Sequence, residues 1–288
     1  MHLREVRGIL SGQNGMNLCR GCVHGCIYCD SRSKCYHIEH DFEDVEIKSN
    51  APVLLDDALR KKRKKCMVGT GSMSDPYIPV PESLANTRAC LEIICKHECG
   101  LSILTKSDLI LRDLDLLTAI NEKTKCVAQI TLTTYDEKLC KIIEPNVCGT
   151  QRRFEVLKIL RDAGIPTVVW LSPFLPFIND TEENLRGLLD YCVEAGVHAV
   201  FCFGIGMTLR EGNREYFYAK LDEHFPGLKD VYQRKYGLNY QIASGNNIRL
   251  MKMLYEICEK RGILCGTDIV FEYLRTFEEK RGGQMELF

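Results

Sequence analysis

The sequence Cys22-Val-His-Gly-Cys26-Ile-Tyr-Cys29 is the stretch from which the fold of this chain is best worked out. Its three cysteines lie in one short loop, so their thiolates can converge on a single metal centre. A [4Fe-4S] cluster normally takes four protein ligands, and a closed zinc site also takes four. The compact group supplies three, which predicts a cluster with one iron open to another molecule. The alternatives are a set of redox thiols or a zinc loop whose fourth ligand would be Cys19, Cys35 or His24.

The composition predicts a reduced, intracellular protein. Sixteen of the 288 residues are cysteine, and Met1–Gly15 lacks the apolar run of a signal peptide. Cysteines in such a chain are expected to be thiols and not a disulfide framework, so we expect a cytoplasmic location. The apolar stretches are too short to cross a membrane, which predicts no membrane partner. The net charge of −1 gives no general attraction to polyanions.

Short apolar segments alternate with longer amphipathic ones along most of the chain. This alternation is typical of βα units and predicts an α/β fold with a parallel sheet. The predicted strands are Cys66–Gly71, Leu101–Thr105, Val127–Thr133, Thr167–Leu171 and Ala199–Gly204. The predicted helices between and after them are Val53–Lys65, Pro81–His97, Asp136–Ile143, Gln151–Ala163 and Thr181–Ala195.

The pattern changes after residue 214, which divides the chain into three predicted parts. Residues 1–214 form the α/β core with the cysteine loop, residues 215–280 form a helical C-terminal extension, and residues 281–288 form a flexible tail. The extension contains three predicted helices and one short apolar segment: Glu215–His224, Asn246–Arg261, Ile269–Lys280 and Ile263–Gly266.

The cysteine loop resembles the CxxxCxΦC signature of the radical S-adenosylmethionine (SAM) superfamily, with Tyr28 at the aromatic position. The resemblance is closest to the spore photoproduct lyase-like branch, and within it to a mobile-element subgroup encoded as pairs of radical SAM proteins. It is carried by NLCRGCVHGCIYCDSRS (residues 17–33), GSMSDPYIPVPES (71–83), IIEP (142–145) and LRDAGIP (160–166).

The resemblance implies a partial, open (β/α)6 TIM-like barrel and a specific chemistry. Cys22, Cys26 and Cys29 would hold a [4Fe-4S] cluster whose open iron binds SAM. Reductive cleavage of SAM would then give a 5′-deoxyadenosyl radical that abstracts a hydrogen from the substrate. An electron donor such as flavodoxin or ferredoxin and a partner radical SAM protein are implied as well.

The resemblance also suggests which residues would contact SAM. Tyr28 would lie against the adenine, and Pro173, with Pro176, would border it. Gly69, Thr70, Gly71 and Ser72 would cradle the amino group, because glycine lets a ligand approach the backbone closely. Thr131 and Thr133 would meet the ribose or the carboxylate. Each of these residues is equally well interpreted as an ordinary turn or strand-end residue.

No catalytic residue is fixed by the sequence. Spore photoproduct lyase uses a cysteine as hydrogen-atom donor, and the candidates here are Cys126, Cys140, Cys148, Cys202 and Cys265. None aligns with that donor, so the lyase reaction does not follow, and Cys140, Tyr77 and Asp75 remain candidates. Asp75 has an alternative role in a proline-fixed turn, where its side chain accepts local backbone hydrogen bonds.

The chain end suggests a protein partner. Gln284-Met-Glu-Leu-Phe288 resembles the short peptide by which bacterial repair and replication proteins dock on the sliding clamp, with Gln284, Leu287 and Phe288 as the contacts. Together with the lyase-like branch, this motif favours DNA as substrate. The alternatives are modification of a peptide, protein or metabolite, and a non-enzymatic iron–sulfur or zinc adaptor on the clamp. The basic run 60–65 could contact phosphates, and the loop histidines His37 and His40 could be metal ligands, but both are better interpreted as solvated.

Overall fold

The computed structural model describes residues 1–280, and the predicted clamp-binding residues Gln284, Leu287 and Phe288 lie outside this range. The strands are β1 (His2–Arg4), β2 (Gly15–Met16), β3 (Cys19–Arg20), β4 (Glu46–Lys48), β5 (Met67–Thr70), β6 (Gly100–Thr105), β7 (Cys126–Thr131), β8 (Thr167–Trp170), β9 (Ala199–Phe201), β10 (Gly206–Thr208), β11 (Gln241–Ala243) and β12 (Leu264–Cys265). The helices are α1 (Ala51–Arg60), α2 (Pro81–Lys96), α3 (Leu114–Lys123), α4 (Glu137–Ile143), α5 (Thr150–Asp162), α6 (Glu182–Ala195), α7 (Asn213–His224), α8 (Leu228–Tyr236), α9 (Asn247–Arg261) and α10 (Thr267–Arg275).

The central sheet has the strand order β12-β9-β8-β7-β6-β5-β2, and all of its pairings are parallel. Parallel neighbours need crossover connections, which contain α1 to α6 between β2 and β9 and α7 to α9 between β9 and β12. The strands β2 and β12 form the two edges of the sheet, so the barrel is open. The α/β class and the partial, open (β/α)6 TIM-like barrel are therefore confirmed.

The inner strands are buried on both faces, which explains why their sequences read as continuous apolar runs. Val68, Leu101, Ile103, Ala128 and Val169 have no exposed surface. Helices cover the outside of the sheet with their apolar stripes, as α6 does with Leu185, Leu188 and Leu189. This packing holds the carboxyl ends of the strands in fixed positions, and the candidate site lies at those ends.

The C-terminal region is helical, as predicted, but it also completes the sheet. The apolar segment Ile263–Gly266 contains β12, which pairs in parallel with β9 as a seventh strand. The helix α8 was not predicted, because its sequence buries only Tyr232 and Tyr236. The last predicted helix ends at Arg275, and the backbone of Lys280 instead donates to Lys123 O at 3.1 Å.

Two small sheets were not predicted, since strands of two or three residues carry no measurable periodicity. One has the order β1-β4-β3 and leads directly into the cysteine loop. The other is the antiparallel pair β10–β11, which contributes to the wall of the candidate site. None of the helices in the described range combines the length and hydropathy of a membrane-spanning segment.

Candidate active site

A cavity of about 670 Å³ opens at the carboxyl ends of the central strands. Residues that follow β5, β6, β8 and β9 contribute to its wall, among them Gly71, Lys106, Ser172 and Phe203. Parallel α/β barrels bind their ligands at this end. The cysteine loop borders the same cavity, and Cys22, Cys26 and Cys29 all line it.

Backbone hydrogen bonds hold the cysteine loop from two sides. Cys22 N donates to Phe42 O at 2.9 Å, and Ile27 N donates to Ile143 O at 3.0 Å. Gly21 has a φ of +82°, and a Cβ there would lie 2.4 Å from Phe42 O, so glycine is required for this close approach. Protein contacts on both sides therefore hold the shape of the loop.

The thiols fit a cluster better than a single zinc ion. Tetrahedral zinc at 2.3 Å from each sulfur brings thiolates to about 3.8 Å from one another. The three sulfur atoms are farther apart than this: they do not all lie within 4.8 Å of one another, and no third ligand atom within residues 1–280 completes such a group with any of them. A four-iron cluster is larger and accommodates a wider spacing.

The proposed fourth zinc ligands are engaged in other contacts. Cys19 Sγ lies 3.2 Å from Ser83 Oγ and is not part of this cavity wall. Cys35 is exposed and accepts from Arg210. His24 does line the cavity, with its Nδ1 3.6 Å from Asp75 Oδ2. Among the described residues, the cysteines that line this cavity are Cys22, Cys26 and Cys29.

Burial controls the protonation of the thiols. It raises the pKa of Cys22 to about 12 and raises the pKa of Cys26 well above the ordinary value. Because metals bind thiolates, loading the site must displace these protons. The ammonium group of the half-buried Lys106 opposes this effect by lowering the pKa of Cys26.

A buried ion pair, Glu144 with Arg153, holds Tyr28 of the cysteine loop in place. The Tyr28 hydroxyl donates to Glu144 Oε1, and Glu144 Oε2 lies 2.7 Å from Arg153 Nη1. The Arg153 and Glu144 side chains are 1% and 0% exposed. Burial favours a raised pKa for Glu144, but the positive charges of Arg153 and Lys106 outweigh it and lower the pKa. The ionised carboxylate therefore orients the ring of Tyr28 at the cavity wall.

Asp75 accepts hydrogen bonds both from its own turn and from the end of β6 at the cavity. Its Oδ1 accepts from Thr105 Oγ1 at 2.6 Å and from Tyr77 N at 2.9 Å, and its Oδ2 accepts from Lys106 N at 2.8 Å. The bond to Tyr77 N is the local one that the turn interpretation requires. The side chain also lines the cavity and is 10% exposed. Asp75 thus combines a structural role with access to a ligand.

Some of the residues predicted to bind SAM line the cavity, and others do not. Those that line the cavity are Tyr28, Gly71, Ser72, Thr131 and Pro173; those that do not are Gly69, Thr70 and Thr133. Gly71 has a φ of +97°, and a Cβ there would lie 2.0 Å from Leu104 O, so the neighbouring strand already requires glycine. Thr133 is fully buried, and its carbonyl accepts from the side-chain amides of Asn179 and Asn184.

The other candidate catalytic residues do not line the cavity. Tyr77 is fully buried and does not line the cavity. Cys140 lies on α4, with its Sγ 3.7 Å from Glu144 Oε2. Among the described residues, the wall of this cavity also omits the remaining candidate thiols, Cys126, Cys148, Cys202 and Cys265. A hydrogen donor from this set would have to act through a change of conformation or through another residue.

Several residues that line the cavity were not predicted from the sequence. Lys106 follows β6, Trp170 ends β8 and Phe203 follows β9, so their positions at or near the ends of predicted strands were a usable signal. His24, which the sequence suggested only as a zinc ligand, also lines the cavity. Tyr240 precedes β11, and no sequence pattern pointed to that hairpin.

Comparison with known proteins gives relatives that match part of this chain. An uncharacterized protein of Mycobacterium tuberculosis is 29% identical over 223 residues, which cover 75% of this chain and 65% of that protein. One of Methanocaldococcus jannaschii is 34% identical over 164 residues, 56% of this chain and 60% of the relative. One of Acidianus two-tailed virus is 30% identical over 227 residues, 74% and 73% of the two chains. This chain therefore spans less than two thirds of the length of the first two relatives.

Solved structures share the fold. Spore photoproduct lyase complexed with dinucleoside spore photoproduct superposes with a TM-score of 0.63 at 13% identity, over 86% of this chain and 74% of the lyase. The radical SAM methyltransferase TsrM from Kitasatospora setae gives a TM-score of 0.50 at 15% identity, over 68% and 34% of the two chains. At these identities the likeness concerns the fold alone. The family model of the radical SAM superfamily matches residues 16–192, more than half of the chain. Since that match includes the cysteine loop and the strands β5 to β8 of the central sheet, the chain belongs to the radical SAM superfamily, whose enzymes use a [4Fe-4S] cluster together with SAM.

Proposed function

We propose that this radical SAM enzyme acts on a base of DNA, in a repair or modification reaction. The observation that carries the proposal is a group of aromatic side chains at the cavity: Trp170, Phe203 and Tyr240. Phe203 is 63% exposed and Tyr240 is 43% exposed, so their rings are accessible for stacking. Stacking of a base on an aromatic side chain contributes about 1–3 kcal/mol.

A cationic pocket next to the cavity supports a phosphate-bearing substrate. It has a volume of about 600 Å³ and shares Ser31 and Met73 with the cluster cavity. Four cationic side chains and two acidic ones line it: Arg4, Arg7, Arg20, Lys48, Glu5 and Glu46. A strand whose base enters the cavity would thus have its backbone close to positive charge.

Arg4 is paired with Glu46, whereas Arg7, Arg20 and Lys48 form no salt bridge in the described part of the chain. Arg20 Nη2 donates to Tyr36 O and to His37 O, the latter at 2.9 Å, and Lys48 Nζ donates to Asn17 O at 2.6 Å. Burial, with a smaller contribution from the charge of Arg20, lowers the pKa of Lys48. A phosphate oxygen between the two side chains would relieve this repulsion.

The chain's own residues would divide the work at the site. Cys22, Cys26 and Cys29 would hold the cluster, which with SAM supplies a radical abstraction of hydrogen from the substrate. Tyr28 and Pro173 would contact the adenine, and Gly71, Ser72 and Thr131 the polar parts of SAM. Phe203 and Trp170 would hold the base and exclude water from the reacting atoms.

Partners follow from the same proposal. The enzyme would receive electrons from a flavodoxin or ferredoxin, and a second radical SAM protein encoded beside it would cooperate with it. Docking on the sliding clamp through Gln284, Leu287 and Phe288 would bring the enzyme to DNA. Spore photoproduct lyase, which shares this fold, has been solved with a dinucleoside photoproduct, and this supports a nucleic acid substrate for the fold.

The test begins with protein reconstituted with iron and sulfide under anaerobic conditions. Binding of a fluorescent single-stranded oligonucleotide is measured at several salt concentrations, and 5′-deoxyadenosine formation is measured with DNA, with a peptide mixture and with neither. We expect DNA to bind with a steep salt dependence and to stimulate SAM cleavage. Stimulation by peptides alone would instead support the peptide-modifying alternative, and failure to cleave SAM at all would support the adaptor.

Two variants separate the proposed contacts. Phe203→Ala is expected to weaken DNA binding by about 1–3 kcal/mol while the salt dependence stays unchanged. Lys48→Ala is expected to weaken binding and to reduce the salt slope by about one. The matched controls are Phe177→Ala and Lys252→Ala, which alter an exposed ring and an exposed ammonium outside both cavities. Equal effects in variants and controls would refute the assignment of the binding face.

A further inference from the structure

A second group of metal ligands lies outside the cluster cavity, where β1, β4 and the loop before β4 meet. It consists of His2, His40 and Glu46, and one ligand atom from each lies within 4.8 Å of the other two. His2 and Glu46 are paired residues of the parallel strands β1 and β4. The rings of His2 and His40 are perpendicular, with their centroids 4.9 Å apart. The sequence allowed His40 as a metal ligand but favoured a solvated loop.

The hydrogen bonds of both histidines leave the same nitrogen available. His2 Nδ1 lies 3.1 Å from Asp44 Oδ2, and His40 Nδ1 lies 2.9 Å from Asp41 O. A histidine that donates from Nδ1 to an oxygen carries its lone pair on Nε2, and this arrangement is typical of metal-binding histidines. His2 Nε2 lies 3.7 Å from Glu46 Oε2. His40 Nε2 is buried and has no hydrogen-bond partner within residues 1–280.

The carboxylate of the group is buried and ionised. The Glu46 side chain is 3% exposed and accepts from Arg4 Nη1 at 2.8 Å. Burial favours a raised pKa for Glu46, but the hydrogen bond and the charge of Arg4 outweigh it and lower the pKa. Arg4 would compete with a metal for the carboxylate of Glu46. Its side chain is 59% exposed, however, and can turn towards solvent.

We propose that His2, His40 and Glu46 bind a divalent first-row transition metal, with zinc as the representative ion. Two imidazoles and one carboxylate are a common ligand set for zinc and for iron(II). Three protein ligands leave a fourth position for water. The metal would also satisfy the unpaired nitrogen of His40, whose burial is otherwise unfavourable.

The position of this group gives the metal a defined structural effect. The segment that carries His40 continues to Phe42, whose carbonyl accepts from Cys22 N at 2.9 Å. A Cβ on Gly21 would lie 3.7 Å from His40 Cε1, so the segment packs directly on the start of the cysteine loop. A metal joining the loop to β1 and β4 would fix the backbone on which Cys22 depends. This inference does not rest on the proposed DNA substrate.

The test uses the full chain with its iron–sulfur cluster already reconstituted, so that the cysteine triad is occupied. Zinc is added, unbound metal is removed, and zinc and iron per chain are measured together with the zinc K-edge absorption spectrum. We expect one zinc per chain with a nitrogen and oxygen shell at about 2.0–2.1 Å. Absence of bound zinc, or a sulfur shell at about 2.3 Å, overturns the proposal.

Variants locate the site. His40→Ala and the nearly isosteric Glu46→Gln are expected to lose the bound zinc while keeping the iron content and the circular dichroism spectrum. His37→Ala is the matched control, because His37 is an exposed histidine of the same loop. Zinc retained in both ligand variants, or lost equally in the control, would assign the metal to another part of the chain.

Discussion

Replacing Arg153 by methionine should destabilise the protein strongly, because it leaves the charge of Glu144 buried without its main partner. The two side chains are 1% and 0% exposed, and Arg153 Nη1 lies 2.7 Å from Glu144 Oε2. Removing one member of such a pair costs about 3–5 kcal/mol. For a chain of this size, each kcal/mol lowers Tm by about 2–4 °C, so Arg153→Met should lower Tm by roughly 6–20 °C.

The pH dependence of this effect has a definite sign. In the native protein the pKa of Glu144 is lowered, so its ionised form stabilises the fold above the unfolded value of about 4.3, and this stability is lost as the pH falls. Without Arg153, burial should raise the pKa of Glu144, and the destabilisation should then grow as the pH rises. The Tm difference between the two proteins should therefore shrink between pH 7 and pH 4.5.

The measurement is thermal unfolding of the metal-free, reduced proteins under anaerobic conditions at several pH values. The double variant Arg153→Met with Glu144→Gln serves as the control, since it removes the buried charge as well. It should recover at least half of the lost Tm. A single variant within about 1 kcal/mol of the native protein, or a double variant no more stable than the single one, would refute the reasoning.

Three further outcomes can be measured directly. Cys26→Ala should abolish both iron incorporation and SAM cleavage, whereas Cys95→Ala should alter neither; SAM cleavage that survives in Cys26→Ala would contradict the assignment of the cluster ligands. Asp75→Asn should destabilise the protein by about 1–3 kcal/mol in urea unfolding, because the amide keeps only one acceptor oxygen and must lose either the bond from Thr105 or the bond from Lys106, and an unchanged midpoint would argue against this role. Deleting residues 284–288 should abolish binding to an immobilised sliding clamp and leave SAM cleavage intact, so clamp binding that persists would exclude the motif.

The fold could be predicted largely because its strands are buried on both faces and separated by amphipathic helices. Segments such as Leu101–Thr105 and Thr167–Leu171 carry that signal within a few residues, and the structure has strands at both places. The cysteine loop could be found because its three thiols are close in sequence. In these regions local pattern and tertiary structure agree.

The rest of the site depends on contacts between residues that are far apart in the sequence. Tyr28 meets Glu144, which lies 116 residues later, and Ser31 donates to the carbonyl of Met73 at 2.8 Å. The hairpin that brings Tyr240 to the cavity is made of strands of three residues each. No periodicity, turn signal or local motif encodes such pairings, so they follow only from the packed structure.

The seventh strand has a consequence for how the protein is made. During synthesis the cysteine loop leaves the ribosome early. The strand β12, which pairs with β9, is made only when residue 264 has been added. Until then β9 presents unpaired backbone groups, which are a template for aggregation. A chain ending at residue 214 would keep this exposed edge permanently. Nascent chains of this protein should therefore remain prone to aggregate until residue 264 has been added.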